Sequence, residues 1–200
     1  MESLAINIIQ DWLEALMFYH KSTLNDAYVL ELEQITDERG FFARSWCKEE
    51  LETRGLDGDL AQCSLSFNSK KNTLRGMHFQ IPPYGETKLV RCTTGAIFDV
   101  IIDLRVQSST YMKWTGVELS AANRKMLYIP KGFAHGFQTL ADESEVFYFI
   151  SESYHPEAAR GVHWNDPAFN ISWPHAEQRI ISSRDNEWPM TVRGQDPWFM

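Results

Sequence analysis

Cysteine is scarce in this chain, and what there is does not pair. Cys47, Cys63 and Cys92 form no even framework and no Cys-x-x-Cys motif, so a reducing cytoplasm is the expected home. Positive charge is also short: 19 Lys and Arg stand against 27 Asp and Glu, a formal net charge of -8. A nucleic-acid partner would want a basic stripe, so none is expected. Long apolar runs are missing as well. Glu2, Asp11 and Glu14 interrupt the first apolar residues and no basic segment precedes them, which argues against a signal peptide and against a membrane partner. Nor is there an internal repeat, a low-complexity tract or a linker after residue 26.

What is there suits one globular unit: 200 residues, 44% hydrophobic and 23% charged, enough to bury a sizeable core. Residues 3–20 read as an amphipathic helix. Ile9, Trp12, Leu13 and Leu16 form an i, i+3, i+4, i+7 stripe, and Ser3 stands where a cap belongs. That assigns 1–26 to an N-terminal helical extension and 27–200 to the main domain. A first strand is expected from Tyr28 to Glu33, then a turn at Asp37–Gly40, a second strand from Phe41, and a short helix from Cys47 to Leu56. After Ala61 helical periodicity stops. Strands are expected at 62–67, 74–80, 88–93, 96–104, 113–119, 125–129, 135–139 and 146–150, separated by Gly, Pro, Asn and Asp turn signals. Many short strands at this spacing predict a mainly β sandwich or jelly-roll barrel with short peripheral helices. In one of them Asp99 and Asp103 alternate with Ile97 and Ile101, opposite a face of Phe98, Val100, Ile102 and Leu104. Two carboxylates on a buried strand suggest a partly polar interior, as in a barrel holding a ligand.

The stretch Thr73-Leu74-Arg75-Gly76-Met77-His78-Phe79-Gln80 places an imidazole within three residues of a guanidinium in a strand-like run. Extended backbone puts His78 on one face with Gly76 and Gln80, and Arg75 on the other, unless a bulge at Gly76 brings both to one side. A base and an anion holder in one cavity suit a phosphate-bearing substrate; a satisfied core histidine beside a surface arginine is the plainer alternative. Pro130-Lys131-Gly132-Phe133-Ala134-His135-Gly136 fits the Pro-x-Gly-x-x-His pattern of cupin jelly rolls. Metal cupins add an upstream His-x-His, where this chain has only His78. Two isolated histidines make a weak metal site, so none is expected. Tyr148 alternates with Val146 and Ile150, and a buried phenol there needs a partner or a role. Lys88 sits at a strand entrance and Asp185 in a polar turn, both ordinarily surface positions.

These stretches resemble the dTDP-4-dehydrorhamnose 3,5-epimerase family, nucleotide-sugar epimerases of the cupin superfamily. The likeness runs in order through "DERGFF" (37–42), "TLRGMHFQ" (73–80), "KLVRC" (88–92), "IFDVIIDLR" (97–105), "IPKGFAHGFQTL" (129–140), "WNDP" (164–167) and "ISWP" (171–174). It implies a cupin jelly roll that inverts C3, C5 or both of a nucleoside-diphosphate 4-keto-6-deoxyhexose without a cofactor, usually as a homodimer. By that resemblance His78 is the general base, Asp185 its carboxylate partner and Tyr148 the general acid. Arg39, Gln62, Arg75, Lys88 and His135 correspond to substrate-contacting positions. Arg44, Ser64, Arg160 and Arg184 depart from the pattern on the substrate side. A nucleotide-sugar ketoisomerase and a non-catalytic sugar-binding cupin are the alternative readings.

Overall fold

Period-two alternation of apolar and polar residues becomes two antiparallel sheets packed face to face. The computed structural model describes residues 16–191. In chain order the strands are β1 (Met17–Lys21), β2 (Tyr28–Leu32), β3 (Ile35–Asp37), β4 (Gly40–Phe42), β5 (Gln62–Asn68), β6 (Leu74–Gln80) and β7 (Lys88–Thr94). Then come β8 (Ala96–Asp103), β9 (Trp114–Ser120), β10 (Met126–Ile129), β11 (Phe133–Thr139), β12 (Ser144–Ile150) and β13 (Ala159–Gly161). Two short helices, α1 (Lys48–Glu52) and α2 (Ser183–Asn186), lie at the periphery. One sheet runs β1-β2-β10-β7-β12-β5 and the other β13-β6-β11-β8-β9, while β3 and β4 form a separate hairpin. Every segment expected as a strand after Ala61 is one, and the mainly β jelly roll stands. The three-residue β13 had no clear signal.

Three clusters fill the structure. Between the sheets, Val90, Cys92, Leu127, Ile129 and Val146 meet Ile97, Ile101, Leu119, Phe133 and Phe137. The outer face of the five-stranded sheet buries Met77, Phe79, Val100, Ile102 and Leu104 beneath Phe169, Ile171 and Trp173 from the C-terminal stretch. This double covering explains why β11 is buried at every residue. On the outer face of the six-stranded sheet, Leu51 of α1 packs with Met17, Leu30, Leu89, Met126 and Tyr128.

The helix expected over 3–20 needs correction at its end. Residues 3–15 lie outside the described residues, but Met17–Lys21 is a strand paired with β2, from Met17↔Leu32 to Lys21↔Tyr28. Pairing wins because it buries Met17, whose N–H donates to Glu50 Oε1 at 2.9 Å. The carboxylates of β8 also divide. Asp103 is held by Arg105 through two contacts of 2.9 Å and by the Thr110 hydroxyl at 2.6 Å, so it ties a loop to the sheet. Asp99 is fully buried and paired with His135 Nε2 at 2.6 Å, so it supports that ring from behind, and neither carboxylate lines the cavity that the alternation suggested.

Candidate active site

On β11, His135 and Phe137 are two residues apart, yet they face His78 and Arg75, which are three apart on β6. The extra residue is taken up around Gly76, which has φ +141° and approaches Gly136 so closely that a Cβ there would lie 2.6 Å from the Gly136 Cα. Only glycine accepts both the backbone conformation and the approach. The bulge brings Arg75 and His78 to the same cavity, one of the two arrangements left open by the sequence.

That cavity, about 450 Å³, opens between the β7-β12-β5 end of one sheet and the β13-β6-β11 end of the other. His78 Nε2 is 2.7 Å from Asp185 Oδ1. Asp185 is placed by α2, whose N-cap Ser182 accepts the Asp185 N–H, and its second oxygen accepts the Gly76 N–H at 3.4 Å. Burial works to raise the Asp185 carboxyl, but the hydrogen bond and charge of His78, helped by Gly76 and Ser182, hold it below the ordinary value. On β11, His135 Nε2 lies 2.6 Å from Asp99 Oδ1, and both residues are buried.

Tyr148 projects from β12 on the facing wall, its ring edge-on to His135 with centroids 6.1 Å apart. Desolvation, and after it the Asp99 carboxylate, push its phenol well above the ordinary tyrosine value, against Arg75 and a hydrogen bond with Ser66. It therefore keeps its proton throughout the neutral range. Arg75 Nε donates to Asn68 Oδ1 at 2.7 Å. Lys88 Nζ is 2.7 Å from Glu86 Oε1, with both side chains little exposed.

The cavity thus gathers Gln62, Arg75, His78, Lys88, His135, Tyr148 and Asp185, together with Ser64, Arg160 and Arg184. Arg39 is not among them. It sits at the tip of the β3–β4 hairpin, exposed and paired with Asp37. Arg44 does not line the cavity either. Sequence reasoning passed over Glu86, Tyr154 and Trp188, which do. Arg184 reaches the Tyr154 hydroxyl at 3.4 Å and lies 5.5 Å from the Trp188 ring centre, while Trp188 stands edge-on to His78. Nothing in local periodicity marks Tyr154 or Trp188, since both lie outside the strands. Among the described residues, no three of His, Cys, Asp and Glu are grouped as ligands for an ion.

The chain is matched over residues 21–192 by a family model described as dTDP-4-dehydrorhamnose 3,5-epimerase. It is 44% identical over 166 residues to the dTDP-4-dehydrorhamnose 3,5-epimerase of Escherichia coli, covering 82% of this chain and 89% of that one. To the enzyme of the same name from Methanothermobacter thermautotrophicus it is 45% identical over 171 residues, covering 84% and 91%. A crystal structure of dTDP-4-dehydrorhamnose 3,5-epimerase from Bacillus anthracis with TDP and PPi bound superposes with a TM-score of 0.84 at 41% identity, covering 88% of this chain and all of that one. With this sequence, this double-sheeted fold and these matches along most of its length, the chain belongs to the dTDP-4-dehydrorhamnose 3,5-epimerase family.

Proposed function

We propose that the chain inverts C3, C5 or both of a dTDP-linked 4-keto-6-deoxyhexose by proton removal and return. The observation that carries this reading is the placement of His78 and Tyr148 on opposite walls of one cavity, each from a different sheet. The 4-keto group acidifies the hydrogens at C3 and C5. His78 takes one from one face, and Asp185, 2.7 Å behind it, orients the ring and balances the imidazolium. Lys88 offsets the charge that develops on O4 of the enolate. Tyr148, protonated at neutral pH, returns a proton from the other face and completes the inversion. Arg75, with Arg160 and Arg184 nearby, supplies positive charge for the diphosphate. Gln62 and His135 contact the sugar nucleotide. Proton transfer next to a carbonyl needs donors and acceptors alone, so no cofactor enters the scheme.

The test is incubation with dTDP-4-keto-6-deoxyglucose in heavy water, with label located by NMR. Deuterium at C3, C5 or both, accompanied by inversion, is the expected result. A folded protein that exchanges neither hydrogen overturns the reading, and label without any epimer points instead to an incomplete or different isomerisation.

We infer that the working form is a homodimer in the cytoplasm. Leu65 and Phe67 on the edge strand β5 are 62% and 57% exposed, next to Phe147 and Phe149 of β12 on the same face. An apolar patch at a sheet edge that no other described strand pairs with suits a second copy of the same surface. Leu65→Glu with Phe67→Glu is expected to give a monomer by sedimentation; an unchanged mass overturns this interface. Three free cysteines fit a reducing compartment, and among the described residues no helix is long and apolar enough to cross a membrane.

A further inference from the structure

A buried chain of contacts leads from β6 to Lys88. Gln80 lies two residues after His78, and both pair regularly with β13, Gln80 opposite Ala159 and His78 opposite Gly161. The two side chains therefore share a face about 6.7 Å apart along the strand. Gln80 is 3% exposed. The two N–H groups of its amide nitrogen are shared among three acceptors, the carbonyls of Tyr84 at 3.0 Å and Ser153 at 3.1 Å and Glu86 Oε2 at 3.2 Å. Its oxygen accepts the His155 N–H at 2.6 Å. Three acceptors on one side and a donor on the other leave this amide a single orientation. Glu86 is held in turn: Oε2 takes Gln80, and Oε1 takes Lys88 Nζ at 2.7 Å.

Lysine is a poor positioning device by itself, because its long stem rotates freely. Here the Lys88 backbone is clamped between Ile129 of β10 and Ile150 of β12, and its tip is clamped by Glu86. An ammonium has three donors, and Glu86 occupies one, so the rest remain for a ligand in the cavity. We propose that Glu86, oriented by Gln80, is a positioning residue that holds the Lys88 ammonium aimed at the carbonyl oxygen of the bound 4-keto sugar. The inference rests on the reading of Lys88 as the group that offsets enolate charge. It makes β6 the common ruler of the site: the strand that carries the base also carries, two residues on, the anchor for the charge-balancing group.

The experiment is a double-mutant cycle of Glu86→Gln and Lys88→Met, with kcat and KM for proton exchange measured beside the thermal midpoint. Glu86→Gln is expected to lower kcat about tenfold while KM moves less than about threefold, because orientation at the reacting carbonyl is lost and nucleotide binding is kept. Glu86→Asp, which keeps the charge on a shorter arm, is expected to recover part of that loss. Lys88→Met is expected to lower kcat by about a hundredfold. In that background Glu86→Gln is expected to cost nothing more, since Glu86 acts through Lys88. A further tenfold fall in the double variant overturns the inference by giving Glu86 a role of its own. So does a Glu86→Gln protein that loses stability but keeps its kcat. If Lys88→Met alone leaves kcat intact, the reading of Lys88 falls first, and that failure is visible without any Glu86 variant.

Discussion

His78 on β6 and Asp185 on α2, 107 residues apart in the chain, meet at 2.7 Å between Nε2 and Oδ1. On the proposed reading, the carboxylate fixes which ring nitrogen faces the cavity and balances the charge that the ring gains as base. His78→Asn is therefore expected to abolish proton exchange in a protein that still folds and binds nucleotide. Asp185→Asn is expected to lower kcat by at least about a hundredfold but to leave measurable exchange, because the base remains. Exchange into a 4-keto sugar nucleotide, with nucleotide binding as the control, checks both.

Asp185 also predicts a pH dependence of stability. Its folded carboxyl is held below the ordinary value by His78 despite burial, so its contribution is complete above the unfolded aspartate value of about 3.9 and fades as pH falls through the lower folded value. Acid titrations of the unfolding midpoint should show wild type losing stability below about pH 4, and Asp185→Asn should lose less over that window.

Tyr148→Phe keeps the ring against His135 and removes only the hydroxyl. Exchange initiated by His78 is expected to continue while completed inversion falls, since the donor on the facing wall is gone. Comparing deuterium uptake with the yield of epimer measures this. Equal loss of both would move Tyr148 into binding or into the first step.

Arg160 and Arg184 line the cavity, whereas Arg44 does not. Arg160→Glu is expected to change the ratio of kcat/KM between two nucleotide sugars by more than about tenfold, or about 1.4 kcal/mol in transition-state discrimination. Arg44→Glu is expected to leave that ratio unchanged. Parallel kinetics on dTDP- and UDP-linked substrates separate the two outcomes.

The bulge that joins Arg75 to His78 depends on two glycines in contact. A Cβ on Gly136 would meet the Arg75 carbonyl at 2.7 Å and the Gly76 Cα at 2.9 Å, both backbone atoms that cannot swing aside. Gly136→Ala is expected to cost about 2–4 kcal/mol in denaturant unfolding.

Much of this molecule was legible one residue at a time. Alternation in segments such as 96–104, punctuated by glycine and proline, located the strands, because the side-chain period of extended backbone is local physics. The quoted motifs identified the family and carry Arg75, His78, Lys88 and His135 of the cavity. What local pattern could not decide was which strands lie side by side and what crosses between them. The stripe Ile9, Trp12, Leu13 and Leu16 extended a helical reading into Met17–Lys21, where pairing with β2 and burial of Met17 outweigh periodicity. Asp185 looked like a surface turn residue until α2 set it behind His78. Lys88 looked like an ordinary surface position at a strand entrance until Glu86, held by Gln80, closed on it, and Arg39, matched to a substrate-contacting position, sits at an exposed hairpin tip paired with Asp37. His78 meets Asp185 across 107 residues, and the Gln80 amide is fixed by Ser153 and His155, 73 and 75 residues away; no local window of sequence contains such contacts, which form only when the chain folds back on itself.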